Sequence, residues 1–184
     1  MTTAFKNYLA SGVGTQLTIT AVTPSSPTAS SVTLTFATQV AAPFTVGEYI
    51  TVSGVSDAGY NGTYQVTACN VSTVTYTNAD TNSTTNTGTI TPCMWISNSS
   101  ANTTVIGFSI TNKTSGIIQV NIQLIDTIAG TTAFYINNVT LASNTSFRAV
   151  TGGEKLILGP STAVNAWSNI AGSIDVVASW VEIS

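Results

Sequence analysis

The chain has 184 residues, enough for one domain or two small ones and for an apolar core that needs no disulfide or metal staple. Hydrophobic residues make up 43% and charged residues 6%, against roughly a quarter charged in an average globular protein, which excludes a disordered, highly charged tail. The net charge is −3 and the only cations are Lys6, Lys113, Arg148 and Lys155, so no basic patch exists to neutralise a phosphate backbone and nucleic acid is not an expected partner.

Thr, Ser and Asn fill the positions that Lys, Glu and Asp usually hold, and the apolar residues are largely β-branched, which suits a pleated half-buried surface. Apolar residues alternate with polar ones and nowhere recur at helical spacing for three turns, so the chain is expected to be all-β. In chain order the first half predicts strands over Gln16–Val22, Ser31–Ala37, Tyr49–Ser53, Gly62–Ala68, Thr73–Thr77 and Thr87–Thr91. Turn residues separate them: Pro24 to Pro27 with serines between, Pro43, Gly47, and Asn61-Gly62, where both residues are expected at positive φ. Short strands at this spacing make a small barrel or sandwich.

The second half predicts longer strands over Thr104–Asn112, Ile117–Ile125, Thr132–Leu141, Ser146–Val150, Lys155–Leu158 and Ser173–Ile183. Gly152-Gly153-Glu154-Lys155 lacks phosphate-loop spacing and reads as a hairpin turn. The last strand carries apolar residues on both faces, so it is expected to be central in its sheet or sandwiched between layers. Polar low-complexity stretches at 11–15 and 83–91 bracket the first group of strands. The expected organisation is therefore a parent β-sandwich of jelly-roll type, residues 1–15 and 92–184, with a small β-barrel or sandwich module, 16–91, inserted into one of its loops.

Chemistry-bearing constellations are scarce. The chain contains no His, which removes Ser-His-Asp and Cys-His catalysis and His-ligated metals together. Asp57, Asp126, Glu154, Asp175 and Glu182 are scattered singly, with no pairing suited to glycoside hydrolysis. Asp57 to Asn61 looks like part of a calcium loop but lacks the downstream bidentate Glu, and a turn is the expected role. Cys69 and Cys93 are too few for a disulfide framework or zinc site and are expected as free thiols or one mutual disulfide. No catalytic, cofactor-binding or metal-binding residue is expected, and the chain is not expected to be an enzyme. No apolar run approaches the roughly 18 to 20 residues that span a bilayer, and the start MTTAFKNYLA shows no secretory signal, so no membrane partner is expected.

The aromatic residues leave two questions open. Trp95, Trp167 and Trp180, with Tyr8, Tyr49, Tyr60 and Tyr135, serve either as core or as a sugar-stacking face, and core packing is expected because most alternate with polar residues. Phe5 and Tyr8 precede the first clear strand and are the candidate partner-contact residues: either a short arm docking on a neighbouring chain, or the start of an edge strand.

The stretch Pro43 to Ala79, through Gly47, Ser53-Gly54-Val55, Tyr60-Asn61-Gly62-Thr63-Tyr64 and Val74-Thr75-Tyr76, resembles an Ig-like or barrel-like β-module that recurs in phage tail and fibre proteins. The outer segments FKNYLASGVGT, ANTTVIGFSITNKTSGIIQVNIQLID, GGEKLILGPS and IDVVASWVEIS are similar to small virion structural proteins of tailed bacteriophages, in which an FKNY-like opening runs directly into the TTVIG strand. The resemblance brings no catalytic residues. It implies a virion structural protein made in the host cytoplasm, foremost a capsid decoration or cement protein. Its implied partners are itself, as a homotrimer, and other virion proteins such as the major capsid protein. A neck, tail or fibre-associated protein touching the host surface is the alternative, and a carbohydrate-binding module is a third.

Overall fold

The structure is a computed structural model that describes residues 2–24, 30–82, 87–151 and 153–183. The expected turn at Pro24 to Pro27, the low-complexity stretch from Ser83 and the Gly152-Gly153 turn therefore fall partly outside the described residues. The chain divides into two compact units, Met1–Thr15 with Met94–Ser184, and Gln16–Cys93. The change of unit lies two residues beyond the expected junction, and inside a strand, because the chain stays extended through Pro92 where a loop was expected.

The Gln16–Cys93 unit is built from β2 (Leu17–Pro24), β3 (Ser31–Phe36), β4 (Tyr49–Ser53), β5 (Gly62–Cys69), β6 (Thr73–Thr77) and the first part of β7 (Thr89–Ile96). Every neighbouring pair is antiparallel, and the order β7-β2-β3-β6-β5-β4 returns to β7, so the six strands close into a barrel without an edge. Period-two alternation sends Val32, Leu34 and Phe36 of β3, Val74 and Tyr76 of β6 and Ile50 and Val52 of β4 inward. Outside, hydroxyl pairs do what charges usually do. Thr33 and Thr75 meet at 2.9 Å, Thr51 and Thr63 at 3.2 Å, and Ser53 and Thr89 at 2.9 Å.

Asn61 does not take the positive φ expected of it. Its φ is −78°, and only Gly62, at 152°, leaves the usual range. The Asn61 side chain ties the loop instead, accepting from the Val55 N–H at 2.9 Å and donating to the Val55 carbonyl at 2.7 Å. Tyr64 stacks on Tyr76 with centroids 4.2 Å apart, and Tyr60 is fully buried, donating to the Asn82 carbonyl.

The other unit is a sandwich. One sheet has the order β1 (Thr3–Val13), β14 (Ile174–Ile183), β8 (Asn102–Asn112), β11 (Ser146–Val150), with β12 (Leu156–Leu158) on the same side of β8 as β11. The facing sheet has the order β10 (Thr131–Leu141), β9 (Ile118–Asp126), β13 (Thr162–Ser168). Their inner faces share one core: Val105, Phe108 and Ile110 with Val176, Ala178 and Trp180 from the first, Val120, Ile122, Val164 and Ala166 from the second. Trp95 stacks on Trp180 at 4.9 Å and meets Phe108 edge-on at 5.4 Å. An all-β sandwich with a barrel module is thus the architecture.

One expectation needs correction and one is met. β13, sequence TAVNAWS, was not expected as a strand, because buried Asn165 and small alanines erase the alternation; all seven residues are buried. β14 meets the first of its two expected placements: it is central in its sheet, between β1 and β8, with only one of its faces covered. Val177 and Ile183 are exposed.

Candidate functional site

The uncovered face of the β1-β14-β8-β12 sheet gathers several exposed large apolar side chains. Residues directly opposite in antiparallel strands share a face. Phe5 faces Val181, which faces Thr104, which faces Ile157, so one row of side chains crosses four strands. Asn7 faces Ser179 in the next row on this face, and Leu9 faces Val177 in the row after it. Phe5 is 78% exposed, Leu9 69% and Ile157 68%, and Ile106, Val177 and Ile183 are exposed as well. Several large apolar side chains on one sheet face are thus left in water, the kind of surface that commonly marks an interaction site.

The relief of this face follows from its backbone. Ile106 is the extra residue of a bulge, because Trp180 pairs with Val105 and Ser179 with Gly107. Gly107 has no side chain, and a Cβ there would stand 3.0 Å from Ser179 Oγ. Two shallow grooves result. One of about 330 Å³ is lined by Ile106, Gly107, Ser109, Arg148, Val177 and Ser179 among others. The second, about 270 Å³, lies between Phe5, Asn7, Ile106 and Ser179.

Charge is confined to the margins or turned inward. Lys6 points to the core side, with Nζ 2.7 Å from Glu182 Oε2, and Trp180 Nε1 donates to Glu182 Oε1 at 3.2 Å. Burial by itself would raise the Glu182 pKa, but hydrogen bonds from Lys6 and Trp180 and the Lys6 charge outweigh it and hold the carboxyl below its usual range. Asp175 lies at the far end of the sheet. There the raising effect of burial is outweighed by hydrogen bonds from Ser11 and the Gly12 N–H and by Lys113 at 3.4 Å, so its pKa is also lowered.

Phe5 and Tyr8 do not form a free arm. Both lie on β1, an edge strand paired with β14 over Thr3 to Ala10 without interruption. Phe5 faces solvent, whereas Tyr8 turns to the core and meets Trp95 at 6.2 Å. Sequence reasoning placed these two together; the pleat separates them onto opposite faces. Leu9, Ile106, Ile157 and Val177 were not singled out, although the doubly apolar last strand was the available signal.

The remaining candidates have structural roles. Trp95, Trp167 and Trp180 are buried and offer no open ring face for a sugar. Asp57 accepts from the Gly59 N–H at 3.1 Å, Asp126 accepts from the N–H groups of Ile128 and Ala129, and Glu154 accepts from Thr151. Cys69 is a half-buried free thiol, so the alternative of a mutual disulfide does not hold, and Cys93 is buried. Among the described residues no three His, Cys, Asp or Glu side chains gather where they could hold a metal ion, and no helix is long and apolar enough to cross a membrane. No family model, curated protein or solved structure matches the chain.

Proposed function

We propose that this chain is a non-enzymatic structural component of a tailed-bacteriophage particle, a decoration protein that reinforces the shell through non-covalent contacts. The observation that carries the reading is the uncovered sandwich face around Phe5, Leu9, Ile106, Ile157 and Val177, apolar and almost free of charge. Such a face is a liability on a freely diffusing protein and an asset on one that ends up packed against neighbours. The resemblance of the outer segments to small phage virion proteins supplies the kind of neighbour. The resemblance of Pro43 to Ala79 to a tail and fibre module favours a second placement, at the neck or tail.

Quantitative mass spectrometry of purified particles of the encoding phage tests the proposal. Shell decoration requires on the order of hundreds of copies per particle, set by the symmetry of the shell, whereas a neck or tail part is present in a few to a few dozen. Absence from the particle overturns the reading altogether.

A further inference from the structure

We propose that β1 is a self-pairing edge, through which two copies of this chain join antiparallel about a two-fold axis centred on Asn7. The inference concerns the chain's own association and holds whether or not it resides in a particle.

A sheet edge presents unpaired backbone groups, and proteins ordinarily guard such edges with bulges, short strands or charge. The edges at β10, β11 and β12 are guarded in this way. β10 has two breaks in register and carries Asn138 at a φ of 51°. β11 is five residues long, with a break after Arg148, and β12 is three residues long. β1 differs from all of them. It pairs only with β14 among the described strands, keeps an unbroken register from Thr3 to Ala10, and is exposed from Thr3 through Asn7. Its single charge, Lys6, is neutralised within its own sheet by Glu182.

The sequence of β1 selects both the partner and the register. Centring on Asn7 sets Phe5 opposite Leu9 of the second copy, and Leu9 opposite its Phe5, so both exposed apolar side chains of each strand gain a cross-strand neighbour. Lys6 then stands opposite Tyr8, and the two Lys6 side chains are not opposed. Centring one residue earlier would set Lys6 against Lys6, with like charges face to face. In the Asn7 register the row Val177-Leu9 continues directly into Phe5-Val181 of the second copy, giving one apolar ridge across both sheets. Main-chain hydrogen bonds supply the affinity, as in other strand-addition contacts. An isologous pair of this kind closes at two copies, in place of the three expected from the resemblance.

The test uses the whole chain and two substitutions at Asn7, which is exposed, so that neither disturbs the core. Light scattering and sedimentation over micromolar to sub-millimolar concentration should give a monomer–dimer equilibrium. Asn7→Lys and Asn7→Glu should each raise the dissociation constant by about tenfold or more, because like charges would meet on the axis. Circular dichroism and thermal melting check that both variants remain folded. Mixing the two variants should restore a heterodimer at least as tight as the native dimer. A monomer at every concentration, a trimer, a dimer indifferent to Asn7→Lys, or a mixture that fails to re-associate would each overturn the proposal.

Discussion

Lys6 Nζ sits 2.7 Å from Glu182 Oε2, and the same carboxylate accepts from Trp180 Nε1. This contact joins β1 to β14 on the core side of the sheet, with the Glu182 side chain 7% exposed and that of Lys6 47% exposed. Removing the cation leaves a nearly buried carboxylate without its charge partner. Lys6→Met should therefore destabilise the sandwich by about 1–3 kcal/mol at neutral pH, between the values for exposed and for buried pairs. Equilibrium urea unfolding followed by circular dichroism measures it.

The same pair sets a pH dependence. The folded pKa of Glu182 is depressed, as is that of Asp175. Each contributes stability that is fully present above its unfolded value, near 4 for such carboxyls, and is lost as pH falls through the lower folded value. The melting temperature should hold from neutral pH to about 5 and then decline with further acidification. In Lys6→Met combined with Glu182→Gln the decline should be shallower, leaving mainly the Asp175 contribution. An equally steep decline in that double variant would show that Glu182 is not one of the groups responsible.

Leu17 pairs with Ile90, and Gln16 Nε2 donates to Thr91 Oγ1 at 2.9 Å, so the barrel unit starts and ends on neighbouring strands. It also has its own core, with Ile19, Val32, Leu34, Ile50, Val74, Tyr76 and Ile90 fully buried. A fragment covering residues 16–93 should fold by itself, with a cooperative thermal transition and a dispersed amide spectrum. An unfolded fragment would mean that the barrel depends on the rest of the chain.

Much of this fold could be read from alternation alone. Runs such as Ser31–Phe36 and Thr73–Thr77 lie between one solvent-facing and one core-facing side, so the pattern of apolar residues reports the pleat directly. The pattern fails where both faces are buried. In β13, Asn165 and Ser168 occupy sites with no access to solvent, and no period-two signal survives. It also fails to distinguish a strand covered on both faces from one whose second apolar face stands in water, so β14 could be read only as central or sandwiched; it is central, and its second apolar face is exposed. Phe5 stood out in the sequence as a large aromatic ahead of the first clear strand, and it is exposed on β1; its neighbours from β8 and β12 are brought beside it only by the sheet register.

Asn112 shows how a buried amide can escape a reading of the sequence. It stands in an Asn-Lys-Thr triplet that looks like a glycan acceptor, yet it is fully buried at the end of β8. Its Nδ2 donates to the carbonyls of Gly116 and Ala142 at 2.8 and 2.9 Å, and its Oδ1 accepts from the Thr114 N–H at 2.9 Å. Asn112→Ala should leave these buried groups unsatisfied and cost about 2–4 kcal/mol. Asn112→Asp should cost at least as much at neutral pH, because a carboxylate would meet carbonyls where the amide donated. Chemical denaturation of the two variants beside the native chain provides the comparison.

If the uncovered sandwich face is what holds the chain to a particle, attachment should depend on apolar area and little on ionic strength. Exposed charges interact over a screening length of about 10 Å at 0.1 M salt and about 3 Å at 1 M, so an electrostatically attached protein washes off in molar salt. Here the face carries Phe5, Leu9, Ile106, Ile157 and Val177, while Arg148 stands at its margin. Molar salt should therefore leave particle-bound protein in place, and Arg148→Ala should change retention little, as is usual for a charge at the rim of an interface. Ile157→Lys should release it, since burying an unpaired ammonium within an apolar contact costs several kcal/mol. Ile157 lies on β12, across the sheet from β1, so this substitution probes attachment without touching the strand that carries the proposed self-pairing. Retention measured by quantitative gels of washed particles, with light scattering of the free variant alongside, separates the two contacts. Release of the native chain by salt alone would show that charge, and not this face, holds it.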